Sequence, residues 1–381
     1  MREITLRLDE IEDSLPAKIA AILSFSVHNI DFWKIVRKGI DARRKPDVLR
    51  VYTVEFGCVD GGDLLKKNSH MATLAEVKDK PSLELYSLSF KPKILVVGMG
   101  PAGLFSALSL AETGAQVCLI ERGRPVAERL QDVNDFWSGG KLNTESNIQF
   151  GEGGAGTFSD GKLTTRLNHP AMRYVLERLV GFGAPEEILW QAKPHIGSDR
   201  LRSVLVQFRK YLLSLGVEIR FSSCLTGFET DNGCISAGII NDCEAIQCNQ
   251  LVLALGHSAR DTYQLLADKK VKLEQKPFAV GLRVEHPLEL INQIQYGRSS
   301  HPQLPAADYR LAWNDPDSGR GIYSFCMCPG GTVVNASSDA GGIVVNGMSD
   351  FRRDAKSSNS ALVVSVSAAD FSSDDVLAGI H

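Results

Sequence analysis

At 381 residues the chain exceeds one average domain, and two or three are expected. Apolar residues make up 44% and charged residues 23%, with a formal net charge of −3; this is a globular composition without a global field to draw in nucleic acid or an anionic membrane. Eight cysteines scattered over that length argue against a disulfide framework and for reduced thiols in a cytoplasmic setting.

The chain opens on charged residues, without the basic tip and apolar core of a secretory leader. Alternation over residues 3–8 predicts a strand, the period of residues 15–25 a helix, and residues 48–56 a second strand. Residues 1–90 therefore read as a small α+β domain of ferredoxin-like type. It carries a basic run of Lys34, Arg37, Lys38, Arg43, Arg44 and Lys45. An RNA or phosphate patch is one reading of it. Asp31 and Asp41 dilute the charge and favour the other, a solvated helix face and turn. Asp79-Lys80-Pro81 predicts a linker.

A new unit begins at Lys93. The stretch from Ile94 to Ala111 is long and nearly uncharged, but Gly98, Gly100, Pro101 and Gly103 make it a buried strand, a tight turn and a helix rather than a membrane span. In this pattern Gly98 permits the turn, Gly100 lets the backbone approach a pyrophosphate, and Gly103 lets helix and strand pack closely. Phosphate charge would sit at the helix N-terminus beside Pro101 and Ala102. A second strand, Gln116–Ile120, ends in Glu121, 23 positions after Gly98, where a carboxylate accepts hydrogen bonds from ribose hydroxyls and disfavours a 2′-phosphate. These signals predict a Rossmann-like dinucleotide site.

Glu121-Arg122-Gly123 resembles the end of the second strand in flavoproteins of the glutathione-reductase type. Leu251–Gly256, with Ala254 and Gly256 at its end, resembles the strand that returns to FAD there; Val217–Phe221 and the run to Leu225 resemble the edge near the adenine. A closer resemblance is carried by Phe150–Leu163, Leu255–Asp261, Lys276–His286, Ser324–Gly331 and Val345–Met348. They are similar to the bacterial FAD-dependent dehydrogenases of the NAD/FAD-utilising kind, over most of the chain. That resemblance implies bound FAD. In the loop from Gly151 to Lys162, Gly153, Gly154 and their neighbouring glycines can expose N–H groups to phosphate or ribityl oxygens. Thr157, Ser159 and Asp160 add hydrogen-bonding groups, and Lys162 a balancing charge.

The expected fold is α/β: a small α+β domain over 1–90, a Rossmann-like FAD-binding domain over 91–270 and a β-rich, incomplete substrate domain over 271–381. Flavoproteins of this superfamily return to FAD near their C-terminus; nothing after Gly347 fits that return, and the chain is expected to be C-terminally truncated. Hydride transfer belongs to the flavin, so no catalytic residue is required. The candidates are Cys326 and Cys328, a CxC that reads first as a structural pair on one strand face, and Arg283, which would share a face with Glu285 and pair with it or bind an anionic substrate. No metal site is expected, since no second Cys or His pair stands at ligand spacing. No second GxGxxG follows residue 130, so NAD(P)H would dock only transiently. The partner is a small-molecule substrate or electron acceptor, with no membrane and no nucleic acid. The rivals are an NAD-binding dehydrogenase, and a non-catalytic FAD-binding protein whose N-terminal domain contacts RNA or a partner.

Overall fold

A computed structural model describes residues 1–78, 83–165, 167, 169–371 and 375–379; the linker expected at Asp79-Lys80-Pro81 lies outside the described residues. The chain forms two units, each assembled from three segments. One holds Met1–Leu83, Lys162–Ile196 and His286–Asp308; the other holds Glu84–Gly161, Gly197–Glu285 and Tyr309–His381.

In the first unit, β1 (Ile4–Leu6), β2 (Ile30–Asp41) and β3 (Leu49–Cys58) form an antiparallel sheet in the order β1-β3-β2. Alternation in β3 turns Tyr52 and Val54 inward. Helix α1 (Leu15–Leu23) places Leu15, Ile19 and Leu23 at four-residue steps, one face of a helix, and buries them against Ile4, Leu6, Tyr52 and Val54. The basic run does not lie on a helix: Lys34, Arg37 and Lys38 stand on β2, whose long pairing with β3 outweighs local preference. There Lys34 pairs with Glu55 (3.0 Å) and Lys38 with Glu12 (2.6 Å), while Arg43 pairs with Asp41 (2.6 Å). The second segment joins this sheet through Lys38 N to Trp190 O and Ala192 N to Lys38 O, both 2.8 Å. A helix at Leu288–Tyr296 interrupts the region read as β-rich.

In the second unit a parallel sheet runs β10-β4-β5-β6, with β4 (Lys93–Val97), β5 (Gln116–Ile120), β6 (Glu218–Arg220) and β10 (Gln250–Leu253). Ile94 to Val97 and Val117 to Ile120 are buried without interruption, as strands covered on both faces require. Over one face lies an antiparallel meander of β7 (Leu225–Asp231), β8 (Cys234–Ile240) and β9 (Glu244–Gln247), which packs Leu225 and Ile240 onto Leu95, Val97, Cys118 and Ile120. Helix α2 (Pro101–Glu112) follows β4, and its Phe105 meets Phe208 edge-on, with ring centroids 5.2 Å apart. A separate antiparallel sheet is ordered β11-β16-β13-β12, built from Phe278–Pro287, Ser357–Val366, Gly321–Cys328 and Ala312–Asn314. Beside it β14 (Thr332–Asn335) pairs with β15 (Val345–Met348).

Candidate cofactor site

The parallel strands β4, β5 and β10 end together, and at that edge the chain makes a glycine turn. Gly98 adopts φ +98°, a region that favours glycine, and a Cβ there would collide with the Ala254 carbonyl oxygen. One turn into α2, Gly103 lies against the Gly98 carbonyl, so a side chain would push the helix off its strand. A second loop, Gly151–Phe158, meets the first: Gly153 N donates to Met99 O at 2.9 Å, and a Cβ on Gly154 (φ +62°) would sit 2.9 Å from Gly100 Cα. Between the loops is a cleft of about 480 Å³, lined among others by Gly98, Gly100, Pro101, Ala102, Glu121, Phe150, Gly154, Ala254 and Gly256. A larger opening, about 720 Å³, lies at the opposite edge beside Lys93 and Gln116. Ligands of open α/β sheets bind outside the carboxyl ends of the strands, which selects the smaller cleft.

Glu121 closes one wall and is 5% exposed. Its carboxylate accepts from Met99 N (2.7 Å), Gly123 N (3.0 Å) and Gly151 N (2.8 Å). It therefore ties both glycine loops to the end of β5. A carboxylate has about four acceptor positions, so one remains for a hydroxyl from the cleft. The glycines form a cradle that side chains would fill, and an acceptor stands beside it: these residues fit a dinucleotide.

The other expected ligands have different neighbours. Arg122 stacks over Phe150 at 4.6 Å, lies 3.3 Å from Glu145 and donates to Cys224 Sγ and Asp261. Burial opposes its charge, but the Asp261 carboxylate and the Cys224 sulfur outweigh that and raise its pKa. Gly123 packs on Gly151, and Gly153 on Leu205. Thr157 is buried, its hydroxyl donating to Glu152 O at 3.1 Å; Ser159 donates to Gly156 O at 2.7 Å. Asp160, read as a cofactor ligand, is instead buried in an ion pair with Arg353 and accepts from Ser349. Burial makes an unpaired carboxylate there costly, and Arg353 supplies the charge that resolves it. Lys162 falls in the first unit, bridged to His195, and Leu225 belongs to the core beneath the meander.

Arg283, Cys326 and Cys328 converge, though not as expected. The strand pairing shifts register between Phe325 and Cys328, and Cys326 has φ +45°, so the CxC is bulged rather than aligned on one face. Arg283 donates to Cys326 O (3.2 Å) and Asn359 Oδ1 (2.5 Å), which replaces the pairing with Glu285. A Cβ on Gly347 would strike Arg283 and Asn359 and stand 2.7 Å from Cys328 Sγ. Among the described residues, no three His, Cys, Asp or Glu side chains gather as metal ligands, and no helix is long and apolar enough to cross a membrane.

Sequence reasoning missed Tyr263, on the helix Arg260–Asp268, which lines the cleft and donates to Gly256 O at 3.0 Å. It also missed Arg129 and Glu152, both 0% exposed. Burial pushes the Glu152 carboxyl up, while Val126 N and the Arg209 and Arg129 guanidiniums pull it back. Burial likewise pulls Arg129 down to about 10, against the nearby carboxylates of Glu121 and Glu152. Arg129 shares its helix, Val126–Trp137, with several other polar residues, and no spacing marks it as the one that is buried.

Three family models match the chain: FAD binding domain over residues 91–130, FAD-dependent protein, C-terminal domain-like over 277–381, and a domain of unknown function (DUF8436) over 1–57. An uncharacterized protein of Clostridium beijerinckii (strain ATCC 51743 / NCIMB 8052) is 43% identical over 383 residues, covering 100% of this chain and 72% of that protein. Solved structures resemble it more distantly. L-amino acid deaminase from Proteus vulgaris is 16% identical with TM-score 0.28, over 54% of this chain and 56% of that one. CtdE in complex with FAD is 12% identical with TM-score 0.30, over 75% and 62%. Tetracycline destructase Tet(51) is 14% identical with TM-score 0.31, over 72% and 57%. The chain thus spans less than two thirds of these solved chains, and superpositions this loose say nothing of its substrate.

Proposed function

The chain belongs to the same family as its clostridial relative, and from its matches to an FAD binding domain and an FAD-dependent C-terminal domain we propose that it is an oxidoreductase of dehydrogenase type, moving hydride equivalents between its FAD and a small-molecule substrate or electron acceptor. The observation that carries this reading is the cleft at the carboxyl edge of the parallel sheet, where the loops of Gly98–Gly103 and Gly151–Phe158 meet beside Glu121. FAD supplies the two-electron chemistry; the chain binds and orients it. Gly100, Pro101 and Ala102, at the start of α2, would face the pyrophosphate, where the helix dipole favours an anion. The free acceptor position of Glu121 would take a ribose hydroxyl, and a 2′-phosphate would meet its charge. Reduced nicotinamide would dock transiently as the electron donor. Residues 1–90, 91–270 and 271–381 would act as accessory, cofactor and substrate segments in a cytoplasmic protein with reduced thiols.

The test is to purify the full chain, record its visible spectrum, and mix it anaerobically with NADH or NADPH and then with a panel of quinone, dye and disulfide acceptors. Flavin bands that bleach with nicotinamide and return with an acceptor are expected. A chain that binds flavin which no donor reduces and no substrate oxidises would favour the non-catalytic alternative.

A further inference from the structure

Arg129 stands on the helix Val126–Trp137, 0% exposed. A guanidinium carries five N–H donors in a fixed plane, and here each has an acceptor. Nε donates to Asn147 O (2.8 Å). Nη1 donates to Glu152 O (2.6 Å) and Thr157 Oγ1 (3.2 Å). Nη2 donates to Ile148 O (2.8 Å) and Gly154 O (2.9 Å). All five acceptors lie between residues 147 and 157, and four are main-chain carbonyls of the chain entering or forming the second glycine loop. Gly151 presses on the same side chain: a Cβ there would stand 2.7 Å from Arg129 Nε. The Phe158 ring covers the guanidinium at 5.0 Å.

A trans peptide points its C=O and the following N–H in opposite directions. Drawing the Glu152 carbonyl toward Arg129 turns the Gly153 N–H outward, and that N–H reaches Met99 O and joins the two loops. Drawing the Gly154 carbonyl inward turns the Ala155 N–H away from Arg129, and Ala155 lines the cleft. Burying a guanidinium is costly unless its donors are all met; here the acceptors that meet them belong to the loop.

We propose that Arg129 is the positioning residue of the cofactor site: it gathers the carbonyls of residues 147–154 on its own side, so that the Gly153 N–H locks the two loops together and the Ala155 N–H is left toward the cleft that would hold the FAD. This rests on the cofactor reading above. Arg129 itself does not touch the cofactor.

The experiment is an FAD titration of the full chain, followed by flavin fluorescence and by the visible circular dichroism of the bound flavin, on the parent, Arg129→Lys and Arg50→Lys. Lysine keeps the charge but cannot span five acceptors. Arg50 is the control: it is 1% exposed in the other unit and holds the carbonyls of Arg7 and Glu10. Arg129→Lys is expected to raise the Kd for FAD by roughly 30-fold or more, from the loss of oriented donors, and to change the dichroism of the residual bound flavin. Arg50→Lys should lower the unfolding midpoint and leave the Kd within about threefold, since the sites are independent. Equal Kd values for Arg129→Lys and the parent, or equal losses in both variants, overturn the proposal while the cofactor reading stands. A parent that binds no FAD fails the cofactor reading itself, and the proposal with it. If Arg129→Lys does not fold, Thr157→Val decides. It removes one of the five acceptors and should raise the Kd by about three- to tenfold; an unchanged Kd rejects the positioning role.

Discussion

Replacing Glu121 with Gln separates a loop clamp from a simple ribose acceptor. The carboxylate holds three N–H groups, from Met99, Gly123 and Gly151, at 2.7, 3.0 and 2.8 Å, and is 5% exposed. Oε1 takes Gly123 and Gly151 while Oε2 takes Met99. The glutamine oxygen can replace Oε1, but its NH2 then faces the Met99 N–H, donor to donor. The Met99 N–H loses its acceptor and the new NH2 is buried without one, at about 1–3 kcal/mol each, so Glu121→Gln should destabilise the flavin-free protein by roughly 2–6 kcal/mol. Urea unfolding of the flavin-free chain, followed by far-UV circular dichroism, measures this directly. Loss of FAD affinity should accompany it. A variant that loses FAD but unfolds within about 0.5 kcal/mol of the parent, as a surface change would, refutes the clamp and leaves Glu121 as a cofactor ligand alone.

Gly154→Ala should abolish tight FAD binding at a modest cost to the fold: φ +62° costs an L-residue about 1–2 kcal/mol, and the methyl group would press on Gly100, as flavin content and melting temperature will show. Burial raises the folded pKa of Glu152, so its contribution to stability is fullest below the unfolded value near 4.5 and is lost as pH rises through the folded one. Glu152→Gln should therefore flatten the fall in urea midpoint between pH 4.5 and 8, and parallel pH profiles would contradict this. In the native protein Cys234 and Cys243, which are exposed, should react with a thiol reagent within seconds to minutes; Cys118, Cys248 and Cys328 should react only after unfolding. Burial pushes Cys118 up to about 12, so it supplies almost no thiolate at pH 8; prompt labelling there would show the sheet to be open.

The turn at Gly98, the helix after it and the strand leading to Glu121 were legible because each residue there answers a local demand: backbone freedom, close packing, or a carboxylate at a strand end. The partners of Glu121 were not, since which amides reach a carboxylate depends on how a loop beginning 30 residues after it folds back. Asp160 looked like a ligand because it stands in a glycine-rich loop; its partner Arg353 lies 193 residues away and leaves no local trace. The basic run misled for another reason. A run of six cations suits a solvated helix face and turn, and only the pairing of β2 with β3 puts Lys34, Arg37 and Lys38 on a strand, where Lys34 and Lys38 find Glu55 across the sheet and Glu12 beyond it. Arg283 was placed on the right strand, but which acceptor it found depended on a bulge at Cys326 that no spacing encodes.

The two units interleave along the chain, which crosses from one to the other at residues 83/84, 161/162, 196/197, 285/286 and 308/309. During synthesis the N-terminal sheet emerges first, yet the strip that bonds Lys38 comes more than 150 residues later, and Gln303, which holds Arg50, follows later still. At about 5–20 residues per second, the ribosome takes on the order of ten seconds or more to deliver Gln303. Until then Arg50, on the central strand of the early sheet, waits for that partner. Neither unit can be cut out as a continuous fragment. Any workable dissection has to respect the interleaving, since a break at 161/162, 196/197 or 285/286 divides both units at once.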